Sequence, residues 1–124
     1  TSVKPELKVV FDQVGTPTDA KDLAAVIAVI LASPQWIPGI YNYSNEGVAS
    51  WYDFAKAILR IGGLSDVKVM PIKSADYPVA AERPVYAVLD KSLIKATYGI
   101  EIPHWEESLR RTMSLYGNDA FKNI

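Results

Sequence analysis

The stretch from residue 40 to residue 72, IYNYSNEGVASWYDFAKAILRIGGLSDVKVMPI, decides the fold class. It opens on Ile40-Tyr41-Asn42-Tyr43, an alternation of the kind a half-buried strand shows, entered through Pro38-Gly39 and closed by the turn-forming Asn45-Glu46-Gly47. Ser50 with Asp53 three residues on has the form of a capping box. Behind it Trp51, Phe54, Ala55, Ile58 and Leu59 make one apolar helical face that ends at Gly62-Gly63. Residues 67–72 return to extended, β-branched character. Strand, helix and strand in this length form a βαβ unit, so strands 40–44 and 67–72 are expected to run parallel with helix 50–61 between them. The class is α/β: a small parallel, βαβ-containing sheet flanked by helices.

Working outward, residues 7–11 read as a further short strand, and Thr18 or Asp19 can cap a helix over 19–32 with apolar positions at Leu23, Val26, Ile27 and Ile30. Ser33-Pro34 ends that helix. The stretch 73–84 carries Pro78 and Pro84 and no apolar period, and is expected to be an ordered surface loop. A short strand at 86–89 precedes Asp90, which can cap a helix over 91–98 ended by Gly99. A last helix, 105–116, is expected to turn Leu109, Met113 and Tyr116 to the core, and residues 117–124 to fray. The whole of 1–124 reads as one domain.

Composition narrows the function classes. Hydrophobic residues make up 49% of the 124 and charged residues 22%, enough for a core without disulfide or metal staples. A formal net charge of -1 gives no reason to expect nucleic acid or an anionic membrane as partner. The absence of cysteine and the single His104 exclude a thiolate zinc site, a thiol nucleophile and a multi-histidine metal site. The apolar run from Leu23 to Ala32 is about half of a membrane span, and no secretory leader is evident, so a cytoplasmic location is expected.

The chemistry-bearing candidates are few. No glycine-rich fingerprint of a dinucleotide or P-loop site occurs, so the chain is expected to bind no NAD(P) by itself. Tyr52 and Lys56 have YxxxK spacing, at which an ammonium can assist a phenol, but they lie in an amphipathic helix and read as structural. His104, at a helix start, reads as a cap. Arg83 precedes Pro84, which holds it extended. Its planar fork suits phosphate oxygens, although a solvated arginine or a partner of Glu82 fits the local sequence too. Asn45 and Glu46 follow the carboxyl end of an expected strand, where open α/β sheets bind ligands.

Four segments together resemble one family. They are Phe11-Asp12-Gln13-Val14-Gly15-Thr16-Pro17-Thr18 with Asp22-Leu23-Ala24; Gly39 to Gly47 with Ser50-Trp51-Tyr52-Asp53-Phe54-Ala55; Arg83-Pro84 with Val88-Leu89-Asp90-Lys91; and Tyr98-Gly99-Ile100 with Trp105-Glu106-Glu107-Ser108-Leu109. Their order and spacing are similar to those in the second half of dTDP-4-dehydrorhamnose reductases, which are extended short-chain dehydrogenases. The resemblance implies a carboxy-terminal, substrate-binding part of an enzyme that reduces dTDP-4-dehydro-L-rhamnose to dTDP-L-rhamnose for polysaccharide. NADPH or NADH and the catalytic residues then belong to an amino-terminal Rossmann domain that residues 1–13 would adjoin. It also implies substrate-binding roles for Arg83, on the diphosphate, and for Gln13, Asn45 and Glu46. Two other readings follow: a non-catalytic module akin to the regulatory subunit of a methionine adenosyltransferase, and a stand-alone nucleotide-binding domain. An apolar surface left open by the missing domain is expected to favour a homodimer.

Overall fold

The computed structural model describes residues 5–117. Strand β1 (Glu6–Val10) runs through the first apolar stretch, strand β4 (Lys68–Ile72) through the later one, and the two pair in parallel, from Glu6 opposite Lys68 to Val10 opposite Ile72. Val10 and Val69 turn inward from this ladder and are buried. Helix α2 (Trp51–Ile61) packs against both strands, so the parallel unit predicted from the sequence exists with a different first strand.

Residues 40–44 form no strand and belong to no sheet, which corrects the expected pairing of 40–44 with 67–72. Alternation reports that alternate side chains face an apolar surface; it does not say that a strand lies alongside. Here Tyr41 and Tyr43 pack on the cluster of Val26, Ile94 and Ile100, while Ile40 is 90% exposed. β1 takes the place beside β4 because its backbone continues the ladder at both ends, through Lys68 N–H to the Pro5 carbonyl and Phe11 N–H to the Ile72 carbonyl.

A second, smaller pairing sets the chain that leaves β1. Strand β2 (Val14–Gly15) lies antiparallel to β3 (Ala49–Ser50) and bridges to Tyr86 on its other side. The expected strand at 86–89 is reduced to that bridge, made by Val14 N–H to the Val85 carbonyl and Ala87 N–H to the Val14 carbonyl, each 2.8 Å. The loop 73–84 begins with one 3-10 turn, Ser74–Asp76.

Local signals place the helices well. In α1 (Ala20–Ala32) the Asp19 carboxylate accepts from the N–H groups of Lys21 and Asp22, and α2 starts with the Ser50–Asp53 capping box. Asp90 accepts from Ser92 N–H at the start of α3 (Ser92–Tyr98), which Gly99 ends at φ 63°. His104 Nδ1 accepts from Glu106 N–H at the head of α4 (Trp105–Tyr116). Three expected inward positions, Tyr116, Leu23 and Ile27, are exposed. Tyr116 is exposed, and α4 instead buries Trp105, Ser108 and Met113, because its inner stripe faces α2 and α1. In α1 only Asp22 and Val26 are buried, leaving Leu23, Ile27, Val29 and Leu31 open. No helix among the described residues is long and apolar enough to cross a membrane. Of the expected fraying of 117–124, residues 118–124 lie outside the described residues.

A polar network ties the helices together at Asn45, which is 0% exposed. Its Nδ2 donates to Asp22 Oδ2 and to Ser108 Oγ, each at 2.8 Å; its Oδ1 accepts from Asp19 N–H, and its carbonyl accepts from the buried Lys91 ammonium. Asp22 also accepts from the Ser108 hydroxyl and from Arg111, while Thr112 donates to Asp19. Burial alone would raise the Asp22 carboxyl, but the bonds from Ser108, Asn45 and Arg111 outweigh it and hold the group below the usual carboxylate range. Asp19 is lowered in the same way, its burial being outweighed by Thr112 and the capped amides. Gly47 closes the turn at φ 96°, where a Cβ would sit 2.5 Å from His104 Nε2.

Replacing Asn45 by Ala strands the inward-facing Asp22 and Ser108 groups, and the expected loss is about 2–4 kcal/mol in a urea unfolding curve. The two carboxyls have folded pKa values below their unfolded ones, so their contribution is complete above about pH 5 and is lost as pH falls through the folded values. Urea midpoints should therefore drop between about pH 5 and pH 3, with a shallower slope in Asp22→Asn.

Candidate functional site

Two adjoining clefts, of about 290 and 470 Å³, share Gln13, Trp51 and Arg83 in their walls. The smaller is floored by Val14 to Pro17 and by the start of α2; the larger runs along Lys8 to Val10 of β1 under Tyr77 and Val79. Each shared residue is held by a different element. Gln13 lies between β1 and β2, Trp51 is the first residue of α2, and Arg83 stands two residues before the Val85 carbonyl that β2 pins. Trp51 is 52% exposed although it opens an otherwise packed helix. Among the described residues Arg83 forms no ion pair, with Glu82 or any other carboxylate, and it lines both clefts.

Beside Gln13, Asp12 Oδ1 accepts from both the N–H and the hydroxyl of Ser74, at 2.8 and 2.5 Å, and Gln13 Nε2 donates to Ser74 Oγ at 3.0 Å. The Ser74 hydroxyl bond is the main cause that holds the Asp12 carboxyl below its ordinary value. These contacts fasten the head of the 73–84 loop to the end of β1, and so fix one rim of the cleft.

Of the residues singled out in the sequence, Gln13 and Arg83 come together and the others do not. Asn45 is interior, with its polar atoms engaged by the protein. Glu46 points to α3, paired with Lys95 at 2.6 Å and Lys91 at 3.6 Å, and the Lys95 contact holds its carboxyl below the usual range. The loop 44–47 misses the cleft because residues 40–44 do not end at the edge of a sheet. The side chains of Tyr52 and Lys56 join in no hydrogen bond or ion pair among the described residues. Trp51 and Ser74 were not foreseen as site residues. A hint lay in Trp51 itself, a large aromatic at the first turn of a helix where packing is usually incomplete.

The chain's own glycines do not make a dinucleotide cradle. Among the described residues, Gly63, Gly99 and Gly117 have positive φ at the ends of helices rather than at their starts, and the space at Gly47 is filled by His104 and Trp105. No cluster of three or more His, Asp or Glu that could hold a metal ion occurs among them either.

A family model for the RmlD substrate binding domain matches residues 1–117. The chain belongs to that family. The chain is 42% identical over 107 residues to the spore coat polysaccharide biosynthesis protein SpsK of Bacillus subtilis, covering 86% of the chain and 36% of that protein. It is 39% identical to the dTDP-4-dehydrorhamnose reductase of Sinorhizobium fredii, covering 93% of the chain and 43% of the relative. The crystal structure of a dTDP-4-dehydrorhamnose reductase from Clostridium acetobutylicum superposes with a TM-score of 0.82 at 41% identity, over 90% of the chain and 39% of that protein. A dTDP-4-dehydrorhamnose reductase from Bacillus anthracis, in complex with NADP, gives 0.76 at 33% identity, over 86% of the chain and 36% of its own. The chain thus spans about two-fifths of the length of the relatives it matches.

The position of Glu46 gives a simple check. Glu46→Gln removes the carboxylate shared by the buried Lys91 and the half-exposed Lys95, so it should cost more than an ordinary surface pair, about 1–3 kcal/mol in urea unfolding.

Proposed function

We propose that this chain is the substrate-binding part of a dTDP-4-dehydrorhamnose reductase, which reduces dTDP-4-dehydro-L-rhamnose to dTDP-L-rhamnose. The observation that carries the reading is Arg83, an unpaired guanidinium opening on a cleft that also offers a half-exposed indole and an amide. Such a set suits a nucleoside diphosphate sugar: the fork takes the diphosphate oxygens, and the indole offers a face to a planar or apolar part of the ligand. Family membership and relatives named as dTDP-4-dehydrorhamnose reductases support it, and favour it over a regulatory module.

In this reading the nicotinamide cofactor supplies the hydride and is held by an amino-terminal domain, which brings the catalytic residues as well. The chain's own part is to bind and orient the sugar nucleotide. Its Gln13 and Arg83 touch the ligand, while Asn45 and Glu46 serve indirectly, by setting the loop that anchors α1, α3 and α4. The exposed apolar residues of α1, with Trp36, Ile37 and Ile40, form the flank on which the amino-terminal domain would sit. In its absence the same flank would drive self-association.

The 124-residue chain assayed with NADPH and the keto-sugar nucleotide should show no turnover, and measurable reduction would overturn the assignment of catalysis to another domain. In the full-length protein Arg83→Ala removes charge-assisted bonds of about 1.5–3 kcal/mol and should weaken dTDP-sugar binding roughly ten- to a hundred-fold. Arg83→Lys should restore only part, and cofactor affinity should barely move. Unchanged sugar-nucleotide affinity in the alanine variant would make Arg83 an ordinary surface arginine.

A further inference from the structure

The 73–84 loop is tied at both ends. Ser74 fastens its head to Asp12, the single 3-10 turn follows, and the Val85 carbonyl fastens its tail by accepting from Val14 N–H. From Pro78 to Pro84 neither backbone nor side chain makes a hydrogen bond or ion pair among the described residues, and every residue is exposed. A span of this kind lies at the low end of local stability, where a change of position breaks nothing. Its two prolines fix their own φ and hold the residues before them, Tyr77 and Arg83, away from the helical region, so the span is stiff although it is unattached. It also borders the clefts. Tyr77 and Val79, both half-exposed, line the larger one with Lys8, Val9 and Val10 of β1, and Arg83 lines both.

We propose that residues 78–84 are a strap that closes over a ligand in these clefts, hinged at Tyr77 and Val85 and drawn in by the guanidinium of Arg83. The proposal rests on the reading of the clefts as a sugar-nucleotide site and adds a closing step to it. Anionic oxygens in the cleft attract the one charged fork that the strap carries toward them, and the strap follows because Arg83 is part of it. Tyr77 and Val79 then come down over the ligand and β1, and their apolar surface leaves water. Expelling water from the cleft strengthens the bonds between the guanidinium and the oxygens, so attraction and closure favour each other. The head and tail fastenings remain made throughout, and only the few residues between them lose freedom on closing. The Asp12–Ser74 contact thus has a second use, as the fixed post against which the strap swings.

Cleavage after Glu82 by a glutamyl endopeptidase, followed by mass spectrometry on the full-length protein, reads the state of the strap. The free protein should be cut there readily. With dTDP at saturation the cut should slow by roughly ten-fold or more, as for a strap that is open about a tenth of the time. Arg83→Ala, given enough dTDP to reach the same occupancy by calorimetric titration, should show a bound-to-free ratio of rates within about two-fold of one, because the cleft is filled but nothing draws the strap. Comparing bound with free inside each variant cancels the change next to the cleaved bond. Equal slowing in wild type and Arg83→Ala would mean that the ligand merely shields a fixed loop, and would overturn the proposal while leaving the cleft a nucleotide site. Resistance of the free wild type, or undiminished cleavage in wild type with dTDP bound, would overturn it as well. Failure of wild type to bind dTDP at all would remove the sugar-nucleotide reading, and this proposal with it.

Discussion

Asn45 has no access to water, and the described helices other than α2 depend on how its polar atoms are satisfied. A primary amide carries two donors and an acceptor, so burying it costs free energy unless each finds a partner. Asp22 from α1, Ser108 from α4 and the Asp19 amide meet the side chain, and Lys91 from the head of α3 meets the carbonyl. The arrangement is all or none: moving one helix strands groups on the other two. It also explains how a carboxylate and a lysine come to be buried in a domain of this size, since each is paired with the same short loop.

The cleft lies on the other side of that loop's strand, at β3 and the head of α2, and its walls come from segments far apart in sequence. β2 holds the floor by bonding to β3 on one edge and to the chain at 85–87 on the other. The Asp12–Ser74 contact then closes the long loop over β1. The paired floor and the fastened loop together hold the segments that carry Gln13 and Arg83 in the walls of a mostly apolar cleft.

The open side of the molecule is as informative as the closed one. α1 is apolar nearly all round yet buries only Asp22 and Val26 on this domain. A helix that is hydrophobic on both faces is one that packs on both faces. The second face points away from the cores described here, and the relatives, of which the chain spans about two-fifths, have the additional length to cover it.

The sequence by itself determined the elements and their ends. Asp19, the Ser50–Asp53 box, Asp90, Gly99 and His104 act on the nearest few amides, and so their effects could be read without knowing the rest of the fold. It also fixed the class, the absence of a cofactor fingerprint, and Arg83 as the residue to watch. Which strand lies beside β4 was decided only by the tertiary structure, because alternation at 40–44 signals a surface to pack on, and that surface proved to be α1 and α3 rather than a sheet. The exposed Leu23, Ile27 and Tyr116 have the same cause: helical spacing shows that a face is apolar without saying what is present to cover it. The cleft itself was out of reach of local rules. Gln13 and Ser74, 61 positions apart, are within hydrogen-bonding distance, and Gln13 shares both clefts with Arg83, because long-range backbone pairing brings these segments together.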